Sequence, residues 1–178
     1  MKRLTFLSLC FCLLLVGCES KPTLQKYFVE NTENKNFMAF DLSPTILNIN
    51  ETKLSAEQKN ALQSFDKMNI LAFKATEKNK PEFEAECARV KTILKDEQYQ
   101  QLMKYGSGSE GASISFVGDD EHIDEFVLFA NRKDSGFAVI RILGDDMNPT
   151  GILEMLSILK TSDINLEQLK PLQEMLAK

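Results

Sequence analysis

The sequence predicts an α+β fold, a mainly antiparallel sheet with helices packed on one face, in the order βαβαβββα plus a C-terminal helix. Three apolar stretches, Ala112 to Val117, Ile123 to Asn131 and Gly136 to Leu143, follow one another with only short polar links. Links that short join antiparallel strands. Stretches with helical spacing or cap signals stand before and after this group, so helices and strands segregate as they do in α+β domains.

The chain starts with a targeting pattern. Met1-Lys2-Arg3 precedes an apolar run from Leu4 to Val16 and then Gly17-Cys18. The run is 13 residues long, well short of the ~20 that a helix needs to span the hydrocarbon core. This is the order of a secretory signal rather than of a permanent span. Leu15-Val16-Gly17-Cys18 resembles the lipobox of bacterial lipoproteins, and the resemblance implies cleavage before Cys18 and acylation of its thiol. Residues 1–17 are then a lipoprotein signal peptide, residues 18–23 a short tether, and residues 24–178 a single α+β domain. Two or three acyl chains bind a bilayer almost permanently, so the lipid bilayer is the first partner expected.

Loss of Lys2 and Arg3 with the signal leaves 19 basic against 26 acidic side chains, a formal charge of −7. A chain of that sign is repelled by phosphate backbones, and no basic cluster with interleaved aromatics offsets it, so nucleic acid is excluded as a partner. Cys10 and Cys12 leave with the signal and Cys18 carries lipid, so Cys87 is the one remaining thiol and no intramolecular disulfide can form.

Along the domain, Leu24, Tyr27 and Phe28 give the first helical apolar spacing, and Phe37 to Leu42 reads as a strand. Ser43-Pro44 then offers an N-cap and a first-turn proline for a short helix. Leu54 to Lys67 reads as a helix whose start is marked by Ser55 and Gln58 at capping-box spacing. Ile70 to Ala75 reads as a short apolar strand. From Lys80-Pro81 a longer helix is expected to about Tyr105, with Glu82, Glu84 and Glu86 early and Lys91 and Lys95 late, as the helix dipole favours. The sequence permits a break near Asp96. Phe83, Cys87, Val90 and Leu94 recur at helical spacing in it, which places the thiol on the buried face.

The three strands named first follow. Gly136 to Leu143 is almost continuously apolar, as in a central strand covered on both faces. Arg141 interrupts it and is read as a residue at a sheet face or edge, its stem packed and its head in water. Asn148-Pro149 repeats the cap-and-proline signal before the stripe Ile152, Met155, Leu156 and Leu159. Leu166 to Leu176 reads as a final helix bent near Pro171.

Tyr99-Gln100-Gln101-Leu102-Met103, Ile123-Asp124-Glu125-Phe126-Val127-Leu128 and Gly136 through Asp145 together resemble the domain-of-unknown-function 4252 family of Bacteroidota lipoproteins. Ser43-Pro44 adds to the likeness, which runs over most of residues 24–160. The resemblance implies an envelope lipoprotein with one compact α+β domain, on the outer membrane. No activity is implied. Glu19-Ser20-Lys21 lacks a dense acidic run of the kind that resembles surface-export signals, so the side facing the periplasm is expected.

Several constellations suggest chemistry. Gly106-Ser107-Gly108-Ser109-Glu110-Gly111 fits the dinucleotide pattern letter for letter, but it is expected between a helix and a strand, the reverse of the strand-to-helix order that a pyrophosphate site needs. It reads as a loop. Gly118-Asp119-Asp120-Glu121-His122 with Asp124 and Glu125 gathers hard oxygen ligands, yet without the alternation of a calcium loop, and a hairpin turn suits it. Asp145-Asp146 precedes a helix start, where carboxylates are favoured by the dipole. His122 is the one imidazole, unaccompanied by nucleophile or zinc spacing. No catalytic residue, metal or cofactor is expected, and Cys18 is the one assigned site. The expected function is a non-catalytic binding or interaction domain for another envelope protein or polymer. The alternative is an envelope enzyme using acids near Asp145 and Asp146.

Overall fold

A computed structural model describes residues 21–43, 52, 54–119 and 122–161. The signal peptide, Cys18, the helix expected from Pro44, residues Asp120 and Glu121, and the final helix from Leu166 to Leu176 lie outside the described residues.

Ten elements follow in order: α1 (Leu24–Asn31), β1 (Phe37–Leu42), α2 (Ala56–Gln63), β2 (Phe65–Lys74), α3 (Lys80–Ile93), β3 (Gln100–Ser107), β4 (Glu110–Gly118), β5 (Ile123–Arg132), β6 (Gly136–Met147) and α4 (Pro149–Thr161). The strands form one antiparallel sheet in the order β1-β2-β6-β5-β4-β3. The α+β class and the antiparallel sheet are as the sequence predicts.

Three details differ. First, the helices cover both faces of the sheet rather than one. Leu24, Tyr27 and Phe28 of α1 and Phe83, Cys87, Val90 and Ile93 of α3 pack on one face, and Ile152 and Met155 of α4, with Leu62 of α2, on the other. The cause is the near-continuous apolar run of β6, which has a side chain to bury on each face. Second, α2 ends at Gln63 and β2 begins at Phe65, with the register shifting between Phe65 and Lys67. Phe65 and Met68 are both drawn into the core against α4, so tertiary burial overrides a helical reading of the stretch. Third, the expected long helix stops at Ile93, and residues 100–107 are a strand. Asp96 accepts from Gln98 N at 3.3 Å and Tyr99 N donates to the Asp96 carbonyl at 3.0 Å. That turn swings Tyr99 into the core, where its hydroxyl accepts from Leu24 N at 3.4 Å.

The caps expected at Ser55 and Asn148 are formed, and Thr23 adds one that was not expected. Thr23 accepts from Lys26 N, Ser55 and Gln58 form the reciprocal capping box, and Asn148 accepts from Gly151 N at 2.8 Å. On the first face Phe37, Phe73 and Phe137 are successive partners across β1, β2 and β6. Phe73 and Phe137 stack with centroids 5.6 Å apart, and Phe37 meets Phe73 edge-on at 5.0 Å. Aromatic pairs of this kind add about 0.5–1.5 kcal/mol each beyond the area they bury. No helix among the described residues is long and apolar enough to cross a membrane.

Candidate functional site

The first face of the sheet is filled from β1 to β5 by α1 and α3, and its character changes at β4. Along that strand Gly111, Ser113 and Ser115 share the face of Val127 and Phe129, while Ala112, Ile114 and Phe116 take the other. Glycine and serine do not fill the space under α3. A groove of about 340 Å³ is left between the C-terminal end of α3 and the β3–β4 hairpin, within the range of small-molecule sites.

Lys91, Lys95 and Lys104 border it, and Gln101, Ser113 and Asn131 offer it polar atoms. Lys91 stands in the last turn of α3 and Lys95 just beyond its end, and both line the same groove. Lys104 stands opposite Ser113 on the neighbouring strand. Lys91 Nζ donates to the Gly108 carbonyl at 3.1 Å and lies 5.8 Å from the centroid of the Phe129 ring. The buried Asn131 amide donates to the carbonyls of Gly108 and Ser109, at 3.3 and 3.1 Å. The two side chains thus fix the hairpin tip that closes the groove. Gly108, at φ +43°, takes the first turn position, where a left-handed conformation is needed.

No carboxylate lines this groove. Among the described residues none of its three lysines has an ion-pair partner, although acids outnumber bases by 26 to 21 in the chain. The arrangement can hold an anion. It brings no nucleophile and base together.

A second hollow, of about 290 Å³, lies between α2 and α4 and carries Glu57, Asp146 and Glu154. Its sign is opposite. Glu57 is held below the usual carboxylate range by its own backbone amide and by the Ser55 hydroxyl. That direction is opposite to what a general acid requires.

The residues singled out in the sequence fall as follows. Gly106 to Gly111 joins β3 to β4, so it is a strand-to-strand turn rather than the expected helix-to-strand link, and it forms one wall of the groove. Asp119 and His122 close the β4–β5 turn through Asp119 N to the His122 carbonyl at 3.0 Å and His122 N to Asp119 Oδ1 at 2.8 Å. His122 Nε2 lies 3.9 Å from Asp146 Oδ1, all three side chains being exposed. No metal-ligating group of three is formed among the described residues. Asp145 and Asp146 stand at the end of β6 just before α4, as their place ahead of Asn148-Pro149 predicts, with Asp145 N donating to the Ser64 carbonyl at 3.0 Å and Asp146 at φ +53°.

Arg141 departs furthest from expectation. Its head is not in water but in a buried bidentate pair with Glu125, Nε to Oε1 at 2.7 Å and Nη2 to Oε2 at 2.9 Å. Arg141 Cζ also lies 5.5 Å from the Phe28 ring centroid, under α1. Glu125 sits on the adjacent strand, diagonal to Arg141, on the same covered face. Cys87 is buried as its spacing predicts, and burial raises its thiol pKa.

The groove lysines were legible only in part. Lys91 and Lys95 read as partners of a helix dipole, and Lys104 fell inside the expected helix. The available signal was the alternation of small and polar against apolar residues in β4, which marks one strand face as unfilled.

No curated protein and no solved structure matches the chain. Residues 27–155 match the model of a domain of unknown function, DUF4252, and the chain belongs to that family.

Proposed function

We propose that this protein is a non-catalytic binding module of the bacterial envelope. It is held by acyl chains on Cys18 at the outer membrane, facing the periplasm, and it takes its ligand in the groove between α3 and the β3–β4 hairpin. The observation that carries the reading is the groove itself: three lysines without carboxylate partners around a lining of mixed polar and apolar side chains, among them Ser113, Gln101, Leu94 and Phe129. In an acidic domain, unpaired cations converging on a hollow favour a ligand over a merely solvated surface.

The anchor supports the same reading. Only about five residues separate Cys18 from α1, a reach of roughly 15–20 Å. The domain stays beside the bilayer, where a high local concentration makes weak contacts useful.

The alternative, an enzyme using acids near Asp145 and Asp146, would use the acidic hollow, which Asp146 lines and Asp145 does not. The direction of the Glu57 shift and the exposure of Asp145 and Asp146 count against it.

Two measurements test the proposal in whole cells. Cys18→Ala should abolish lipidation and release the protein from carbonate-washed membranes, and retention there would refute the anchor. A photo-crosslinking residue at Gln101 should capture a discrete ligand, whether a small molecule or a group carried on an envelope component, and a groove-filling Ser113→Trp change should abolish capture. Equal capture with and without Ser113→Trp would refute the groove as the binding site.

A further inference from the structure

We infer that the groove recognises a phosphate monoester carried on a sugar or another small polyol, an inference that rests on the groove being the binding site. The charge and the residue type at its border set the anionic class. All three cations are lysine, and none is arginine. Three lysine point charges bordering one groove match the charge of roughly −1.5 to −2 and the three acceptor oxygens of a phosphate monoester better than the single charge of a carboxylate.

The cations stand on more than one wall of the groove. Lys95 and Lys104 are exposed, the first just beyond α3 and the second on β3, so they approach the groove from opposite walls. Lys91 is anchored by the Gly108 carbonyl and by the Phe129 ring, which holds the third charge over the groove at little cost in side-chain freedom. Among the described residues the groove has no lining carboxylate to neutralise the charges or to repel an anion.

The floor sets the remainder of the ligand. Ser113 and Gln101 supply groups that both donate and accept, as the hydroxyls of a polyol require. The volume of about 340 Å³ suits a ligand of that size and is small for a folded partner's loop. A phosphate monoester can arrive as a soluble sugar phosphate or as the headgroup of an envelope lipid, and the short tether keeps both within reach.

Titration of the full mature chain in detergent micelles, followed by calorimetry and by amide NMR shifts, tests this. The probes are glucose 1-phosphate, inorganic phosphate, glucose and glucuronate, together with bilayer vesicles with and without phosphatidic acid. The expected result is binding of glucose 1-phosphate with shifts at Ser113 and Lys104 and no binding of glucose. Lys95→Met and Lys104→Met should each weaken it about tenfold, the scale of one charge-assisted contact. Preference for vesicles with phosphatidic acid would assign the lipid source, and preference for glucose 1-phosphate the soluble one. Glucose or glucuronate binding in the groove as tightly as the phosphate would overturn the phosphate assignment while leaving the groove as a binding site. Unshifted groove amides with every probe would overturn the inference, while capture at Gln101 would decide separately whether the groove binds anything.

Discussion

Arg141 and Glu125 interrupt two apolar strands at positions where hydrophobic residues would serve packing as well. Removing two charges from water costs several kcal/mol, so such a pair contributes little net stability, but leaving either charge alone is expensive. Arg141→Met should therefore destabilise the domain by about 3–5 kcal/mol, and Arg141→Met with Glu125→Leu should recover most of that loss. Urea midpoints at unchanged m-value would show it. Equal losses in the single and double variants would mean that the pair is not coupled. At Cys87 the expectation is kinetic: the thiol should react with a labelling reagent only after denaturant is added, and rapid labelling of the native protein would contradict its burial. The two residues show why one side chain was legible and the other was not. The environment of Cys87 is set by its own helix, through a spacing visible in the sequence. That of Arg141 is set by Glu125 sixteen residues away, and it becomes visible only when Glu125, Val127 and Phe129 are read at period two, which puts a carboxylate on the covered face.

Among the elements, β3 shows how tertiary pairing overrides local preference. Gln100-Gln101-Leu102-Met103-Lys104 has no β-branched residue and reads as helix continuation. Two features nevertheless end the helix: the Asp96 turn, and a Gly-Ser hairpin whose pairing β4 can satisfy only with a neighbouring strand. The Asn131 side chain secures this hairpin from β5. Asn131→Ala would leave the turn carbonyls of Gly108 and Ser109 with one partner fewer. A loss of roughly 1–3 kcal/mol is expected, with hydrogen exchange accelerated in residues 103–112 and unchanged in β1. Uniform acceleration through the sheet would assign Asn131 a global rather than a local role. Helix α2 was fully legible at its start because the capping box is local, and Ser55→Ala should cost about 1 kcal/mol, measured as a shift in thermal midpoint.

For the whole molecule, the alkaline range limits stability. Burial raises the pKa of Cys87, Tyr99 and Tyr27, the last with the nearby Glu86 carboxylate adding to the effect. Each group holds its proton more tightly folded than unfolded. The resulting stabilisation is complete below the unfolded values and is lost as pH rises through the folded ones. The melting temperature should therefore fall from about pH 9, the ordinary range of the thiol, and more steeply above pH 10, that of the phenols. Cys87→Ala should remove the first part of that decline and leave the second. The strand order has a consequence for the timing of assembly. Strands β3 to β6 form a meander of adjacent hairpins, whereas β2 pairs with β6 across an intervening chain of roughly 60 residues, an entropic cost that grows only slowly with length. During synthesis, α1 through α3 emerge with no strand to complete their side of the sheet until residue 136 and beyond have been made. The amino-terminal half therefore stays open longest and docks last, so a nascent chain of this protein remains threadable until its final quarter is available.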